Sequence, residues 1–309
     1  MKIVDLKHPE RDYPLGDCGL CLGNFDGVHR GHRALIDTLK AENAKRKTRL
    51  PLGALLFSTP PCIALGNPVP QLTTLEEKLE LLAEAGLRFA ILLDFNELRH
   101  LDPDDFTRRI LMEACHCRLA VCGFNYTYGA QGAGTPEHLM ATFGSQPNRT
   151  LCVVPPVLEG ETPISSSTIR DMLERGHPED ATRLMGHPFF ITGTVVNGRH
   201  VGTKMGFPTA NLTFPKGGLI PARGVYASTI RIGKRTHIGI SNVGSRPTFD
   251  DGDEINCETF IFDYNRKIYG QTIRVSLLHF LRAEQKFASQ AELEHQIHND
   301  IARAKEYLW

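Results

Sequence analysis

GDCGLCLGNFDGVHRGHRALIDTLKAENAK, residues 16–45, joins an apolar run to an amphipathic tail through a turn rich in glycine and histidine. GDCGLCLG reads as a strand and GHRALIDTLKAENAK as a helix, so the chain passes from strand to helix inside GNFDGVHRGH. Gly23, Gly27 and Gly31 let the backbone approach a ligand closely, and the free N–H groups of a helix start attract anions. His29 and His32 lie three apart and project from one side of that start. A phosphate site is the reading these features favour; a tight turn with solvated or merely hydrogen-bonded histidines is the alternative. Neither GxSxG nor a convincing cysteine nucleophile accompanies the turn, which disfavours a nucleophilic triad.

The alternation continues outward. LPLGALLF is the next strand; in TTLEEKLELLAEAGL, Thr74 and Glu77 form a capping box, Leu75, Leu79 and Leu82 an apolar stripe, and Gly86 stops the helix. Then come the strand RFAILLD, the helix DPDDFTRRILMEA with Asp102 as N-cap and Pro103 in its first turn, the strand RLAVCG, the helix TPEHLMATFG and the strand RTLCVVP. Strands alternating with helices predict an α/β domain with a parallel sheet covered on both faces. Ligands in such sheets bind at the carboxyl ends of strands, where GNFDGVHRGH and the loop CGFNYTYGAQGAG both fall.

After LERGHPEDATRLMGHP the rhythm changes to short strands and Gly/Pro turns: FFITGTVVNG, GVYASTIRIG, THIGISNVG, INCETFIFDY and TIRVSLLHFL. These predict an antiparallel barrel or sandwich. SQAELEHQIHNDIARAKEYL closes the chain as a helix capped by Ser289 and Glu292, with Leu293, Ile297, Ile301, Ala304 and Leu308 on the face that packs on the barrel. The expected division is residues 1–180 and 181–309.

A length of 309 residues favours two domains, and 41% hydrophobic with 23% charged residues is globular composition. Lys+Arg and Asp+Glu are equal at 35 each, which argues against a general polyanion binder and makes any anion site local. MKIVDLKHPERDY lacks the apolar core of a signal peptide, and no run approaches the ~20 apolar residues that span a bilayer, so a cytoplasmic chain is expected. The eight cysteines lie mostly inside apolar runs and read as small buried residues; the CxxC of Cys18 and Cys21 and the CHC of residues 115–117 lack a second pair at zinc spacing. In PISSSTIRDML, hydroxyls including Ser166 lead into a helix and Arg170 points back to its start. That set can grip phosphate, or be an N-cap with a solvated arginine.

GNFDGVHRGH resembles the HxGH signature of nucleotidylyltransferases. With CGFNYTYG and ISSSTIR it looks like the FMN adenylyltransferase module of bifunctional bacterial riboflavin kinase/FAD synthetases. GTVVNGRHVGTKMGFPTANL, GVYAS, SNVGSRPTF, CETFIFDYNRKIYG and LRAEQKFASQAELEHQIHNDI are similar, in order and spacing, to the riboflavin kinase domain. The resemblance implies a Rossmann-like nucleotidylyltransferase fold followed by a riboflavin kinase-like barrel. Riboflavin would become FMN in the second domain and FMN would become FAD in the first, with ATP and Mg²⁺ required. It implies that Gly23, Asn24, Phe25 and Asp26 line an ATP pocket, that His29, His32, Ser166 and Arg170 neutralise the departing pyrophosphate, and that Asn125 lies near the reacting phosphates on the flavin side.

In NCETFIF, strand alternation puts Glu258 on the face with Asn256 and Phe260, opposite Cys257 and Thr259. An isolated strand glutamate is usually solvent-facing; the resemblance makes Glu258 the base that takes the ribityl proton and a flavin contact. Thr209 and Asn211, two apart in PTAN, can face one site and meet Mg²⁺ and ATP phosphates, with Gly206 in the same ATP loop; alternatively Gly206 and Pro208 shape a turn with Thr209 and Asn211 as local hydrogen bonders. The expected partners are small-molecule substrates, with no nucleic acid and no membrane, and the chain a monomer or weak homo-oligomer.

The chain departs from the family in three places. FSTPPC, residues 57–62, stands where an FxPHP-like run carries a histidine, Ser167 replaces a common threonine, and Thr203 a frequent arginine. Two other readings follow: a riboflavin kinase whose first domain only binds nucleotide or flavin, and a flavin-responsive regulator that binds RNA or protein, against which the balanced charge counts.

Overall fold

In the computed structural model, which describes residues 1–6, 16–196, 207–246 and 254–308, residues 16–45 form a strand, a tight turn and a helix. They belong to the first of two units, Met1–Ser165 and Ser166–Trp309. The first contains β1 (Lys2–Asp5), β2 (Cys18–Leu22), α1 (Arg30–Lys45), β3 (Leu52–Phe57), α2 (Leu75–Glu84) and β4 (Phe89–Leu93). It continues with α3 (Pro103–Asp105, widening into π turns over Phe106–Ala114), β5 (Cys117–Gly123), α4 (Pro136–Leu139, widening likewise over Met140–Gly144) and β6 (Thr150–Val154).

All six strands pair in parallel in the order β1-β4-β3-β2-β5-β6. The order departs in opposite directions from the β2/β5 junction, so the loops after these two strands flank the crevice where doubly wound sheets take ligands. β1 is an addition to the five strands that the pattern predicts, a four-residue edge strand too short to show periodicity. Between the sheet and its helices, Leu20, Leu22, Leu55, Phe89, Ile91 and Ala120 form the core with Phe106, Leu111 and Phe143. Gly53 makes room for an aromatic ring here, since a Cβ would lie 2.5 Å from the Phe89 ring.

The capping box of α2 is formed: Thr74 Oγ1 accepts from the Glu77 N–H (3.2 Å) and the Glu77 carboxylate from the Thr74 N–H (2.9 Å). Its buried face is rotated from the predicted stripe. Lys78, Leu81 and Leu82 are enclosed, whereas Leu75 and Leu79 are half-buried.

The second unit opens with α5 (Ser166–Glu174) and α6 (Pro178–Met185), then β7 (Phe189–Thr194), β8 (Thr209–Thr213), β9 (Gly224–Ile232), β10 (Arg235–Arg246), β11 (Glu254–Ile261), β12 (Thr272–Ala283) and α7 (Gln290–Leu308). The strands pair antiparallel in the order β8-β11-β10-β9-β12-β7. Residues 209–213 form strand β8, so Thr209 and Asn211 are strand residues rather than part of a turn. Register shifts between β9 and β12 bend the sheet, and the Val196 N–H donates to the Asn211 carbonyl (3.0 Å), drawing its two outer edges toward a barrel.

α7 lays Ile297, Ile301, Ala304 and Leu308 on Val225, Ile240, Phe262 and Leu281. A buried ion pair ties it down: Arg282 NH2 lies 2.8 Å from Asp300 Oδ2, and its Nε lies 3.0 Å from both carboxylate oxygens. Gln296 donates to the same carboxylate at 2.9 Å.

Candidate active sites

Beyond β2 the chain makes an unusually strained turn. Phe25 (φ 54°), Gly27 (φ 78°) and Val28 (φ 38°) are all left-handed. Such a conformation costs a bulky or β-branched residue on the order of 1–3 kcal/mol and persists where surrounding packing enforces it. Phe25 and Val28 are both fully buried. Asp26, also buried, accepts from the Leu72 N–H (2.9 Å), the Thr73 N–H (3.2 Å) and the Thr73 hydroxyl (3.4 Å), while Thr73 Oγ1 accepts from the Gly27 N–H (3.1 Å). The acid thus stitches the turn to the segment entering α2.

His29 is the N-cap of α1, its Nδ1 accepting from the His32 N–H at 3.4 Å, and the two rings stack with centroids 3.7 Å apart. An acceptor at Nδ1 leaves the proton of neutral His29 on Nε2, a tautomer assigned from this bond. His32 Nδ1 is enclosed without a hydrogen-bond partner. Burial above all, with His29 and the Lys78 ammonium beside it, holds the His32 imidazole well below its ordinary value of 6.5. Folded protein refuses a proton here that the unfolded chain accepts, so stability rises with pH across this window. The first unit is expected to lose stability as pH falls below 6.5, by at most about 1.4 kcal/mol per pH unit from this group. Chemical denaturation of wild type and His32→Gln between pH 5 and 8 checks this; parallel curves for the two would refute it.

His32, Gly23, Asn24 and Asn125 line one cavity of about 320 Å³ at the carboxyl ends of β2 and β5. Phe57 and Pro61 of FSTPPC close one side, and with Phe106 and Thr127 they are shared with a neighbouring cavity of about 550 Å³, whose walls include Phe95 and Tyr128. Phe25, Asp26 and His29 stand outside the lining of the smaller cavity, as buried supports of its turn. Ser166 opens α5 and Arg170 lies one turn on, both half-buried, within the unit Ser166–Trp309. Cys18, Cys21, Cys115 and Cys117 are free and buried in or beside β2 and β5, and among the described residues no cluster of metal-ligating His, Cys, Asp and Glu occurs.

In the second unit, β11 runs between β8 and β10 and sets Glu258 opposite Asn211 on one side and Asn242 on the other. Asn256 Nδ2 donates to Asn211 Oδ1 (3.2 Å) and to Glu258 Oε1 (3.4 Å). On the other face of the strand, Thr259 pairs with Ser241 (2.8 Å) and Cys257 is buried. Glu258 and Thr209 open into a cavity of about 260 Å³, with Asn242, Phe207 and Phe287 on its walls and the Arg282–Asp300 pair at its margin. Burial withdraws Asn211 behind Thr209. Gly206 lies outside the described residues, as does Thr203.

Several lining residues escape single-residue reasoning. Asn242, Arg282 and Phe287 lie in SNVGSRPTF and LRAEQKF, stretches that carry the resemblance without marking a role. Lys78 has a weaker signal, a lysine one turn into a leucine-rich helix.

The two cavities fall in segments that match different family models: the FAD synthetase model over residues 14–168, and the riboflavin kinase model over residues 185–308. The chain is 34% identical over 306 residues to the bifunctional riboflavin kinase/FMN adenylyltransferase of Listeria monocytogenes, covering 97% of this chain and 96% of that protein. It is likewise 34% identical to the protein of that name from Escherichia coli, over 100% of this chain and 98% of that one. A crystal structure described as a macrolide-efflux protein from Streptococcus pneumoniae superposes with a TM-score of 0.88 at 32% identity, covering 99% of each chain. The two family models match most of the chain between them, and relatives 34% identical match it over nearly its full length: the chain belongs to the bifunctional riboflavin kinase/FMN adenylyltransferase family.

Proposed function

We propose that the chain phosphorylates riboflavin to FMN in its second domain and adenylylates FMN to FAD in its first. One observation carries the reading: each unit has a cavity of different make-up, a strand carboxylate beside a threonine in one and a histidine-bearing helix start in the other, which suits two different phosphate chemistries. A domain division near residue 180 fits the gap between the segments matched by the two family models, 14–168 and 185–308, while the compact units divide between Ser165 and Ser166.

In the kinase cavity a ribityl hydroxyl must lose its proton as it attacks the γ-phosphorus of ATP and ADP departs. Glu258 takes that proton, its Oε1 oriented by the Asn256 amide. Thr209 offers the cavity an uncharged oxygen, the ligand class that a hard cation such as magnesium shares with triphosphate and water, while Asn211, buried out of the cavity lining, keeps one Oδ1 lone pair beyond the one given to Asn256. Bound there, Mg²⁺ supplies charge neutralisation at the phosphate oxygens.

In the first domain an FMN phosphate oxygen, already ionised, attacks the α-phosphorus of ATP and expels pyrophosphate with no covalent enzyme intermediate. Gly23 and Asn24 hold the nucleotide, and His32 on the cavity wall donates to the oxygens where charge grows, with His29 stacked against it as the cap of α1. Asn125 lines the smaller cavity and Thr127, two residues on, lines both it and the larger one, whose aromatic walls suit an isoalloxazine ring. The substrates are small molecules, no helix among the described residues is long and apolar enough to cross a membrane, and a cytoplasmic setting with ATP at hand fits the chemistry.

Incubation with riboflavin and Mg-ATP, followed by separation of the flavins, tests this. FMN followed by FAD is expected; FMN alone leaves a kinase with a nucleotide-binding domain, and neither product overturns the reading.

A further inference from the structure

Lys78 lies on the buried face of α2 with Leu81, Leu82 and Glu77, whose carboxylate is taken up in the capping box. Only 3% of Lys78 is exposed, and α2 packs on the turn Asp26–Val28. Burial pushes its ammonium below the ordinary lysine range, while the Asp26 carboxylate, and to a smaller extent the Cys62 thiol, favour the charge. Asp26 is itself 1% exposed and already bound to the N–H groups of Leu72 and Thr73, so acid and base share a dry compartment beneath the turn. Removing either from such a pair strands the other.

Above that compartment lies His32. Its ring faces His29 stacked on it from the cap of α1, Lys78 from α2 and Phe25 from the turn, with Asp26 and Cys62 acting through Lys78 and Tyr126 lining the same cavity from the loop after β5. An enclosed Nδ1 with no partner holds a bare lone pair more cheaply than a proton, which assigns the proton of the neutral ring to Nε2.

We propose that Lys78 is a positioning residue of the adenylyl-transfer site, anchored by Asp26 under the glycine-rich turn and presenting its positive charge to His32 so that the ring meets phosphate as an Nε2–H donor. This rests on reading the first cavity as that site. A second positive charge on His32 would meet the field of the ammonium, so the lysine adds to burial and to His29 in keeping the imidazole from taking a proton as ATP departs and returns.

The test uses the full chain with Lys78→Gln and Lys78→Arg. The His32 Cε1–H resonance, assigned by its loss in His32→Gln, is titrated by NMR, and the pH profile of FAD formation from FMN is recorded alongside. Lys78→Gln is expected to raise the His32 midpoint toward 6.5, by about half a pH unit or more, and to move the acid limb of the profile by the same amount. Lys78→Arg restores both.

An unchanged titration and profile in Lys78→Gln, however far the rate falls, overturns the proposal, because a merely structural lysine would behave so. If Lys78→Gln does not fold, the arginine variant decides. A His32 midpoint kept at the wild-type value supports the proposal, and one near 6.5 overturns it. The NMR arm needs no turnover, so wild type that makes no FAD would overturn the functional reading and leave this proposal to the titration.

Discussion

Replacing Glu258 by glutamine is expected to slow FMN formation by about 10²–10⁴-fold, the usual contribution of a positioned general base. Conversion of supplied FMN to FAD should continue. Glutamine keeps the size of the side chain and an oxygen for the Asn256 amide 3.4 Å away, so the change removes basicity with little change in packing. The neighbours Asn211 and Asn242 are uncharged and cannot replace the lost carboxylate as a base. Flavins separated from timed reactions give both rates in one protein. A kinase rate within a few-fold of wild type would show that the proton leaves by another route.

The double change His29→Ala with His32→Ala is expected to do the reverse. Loss of the His32 donor to a developing anion costs about 10²–10³ in rate, and FAD formation from FMN should fall at least that far while riboflavin is still phosphorylated. His29→Ala also removes the cap of α1, worth about 1 kcal/mol. His29→Asn with His32→Gln separates the two effects, since asparagine caps a helix start. FAD formation near the wild-type rate in either double variant would show that the turn holds phosphate without these rings.

The missing histidine in FSTPPC bears on the same reaction. Phe57 and Pro61 stand in the walls of both first-domain cavities, and the Ser58 hydroxyl donates to the Leu93 carbonyl of β4, so the segment lines the site without a histidine to offer. Retention of FAD synthesis is therefore the decisive outcome of the flavin assay for this chain.

Much of the fold was legible because its signals are local. The strand–turn–helix of residues 16–45, the capping box of Thr74 and Glu77, and the alternation placing Glu258 opposite Cys257 follow from backbone periodicity and neighbours three or four residues away. β1 escaped because four edge residues carry too little pattern, and β8 because PTANL reads equally as a turn until β11 offers its ladder. The rotation of the buried face of α2 escaped for another reason: a buried lysine violates the apolar stripe and is tolerated only where Asp26, far away in sequence, meets it.

Sequence alone determined the chemistry available to this protein: two histidines at a helix start, a strand glutamate, a threonine and an asparagine two apart, and the order of the domains that carry them. Tertiary structure decided which of these face a ligand and which serve as supports. It left His32, Asn24 and Asn125 on a cavity wall and withdrew Asp26 and His29 behind it. It placed Glu258 between Asn211 and Asn242, and buried Lys78 beside His32. The reason is physical. Residue type sets what a side chain can donate, accept or titrate, but burial and the neighbours contributed by remote strands set which of those capacities it keeps.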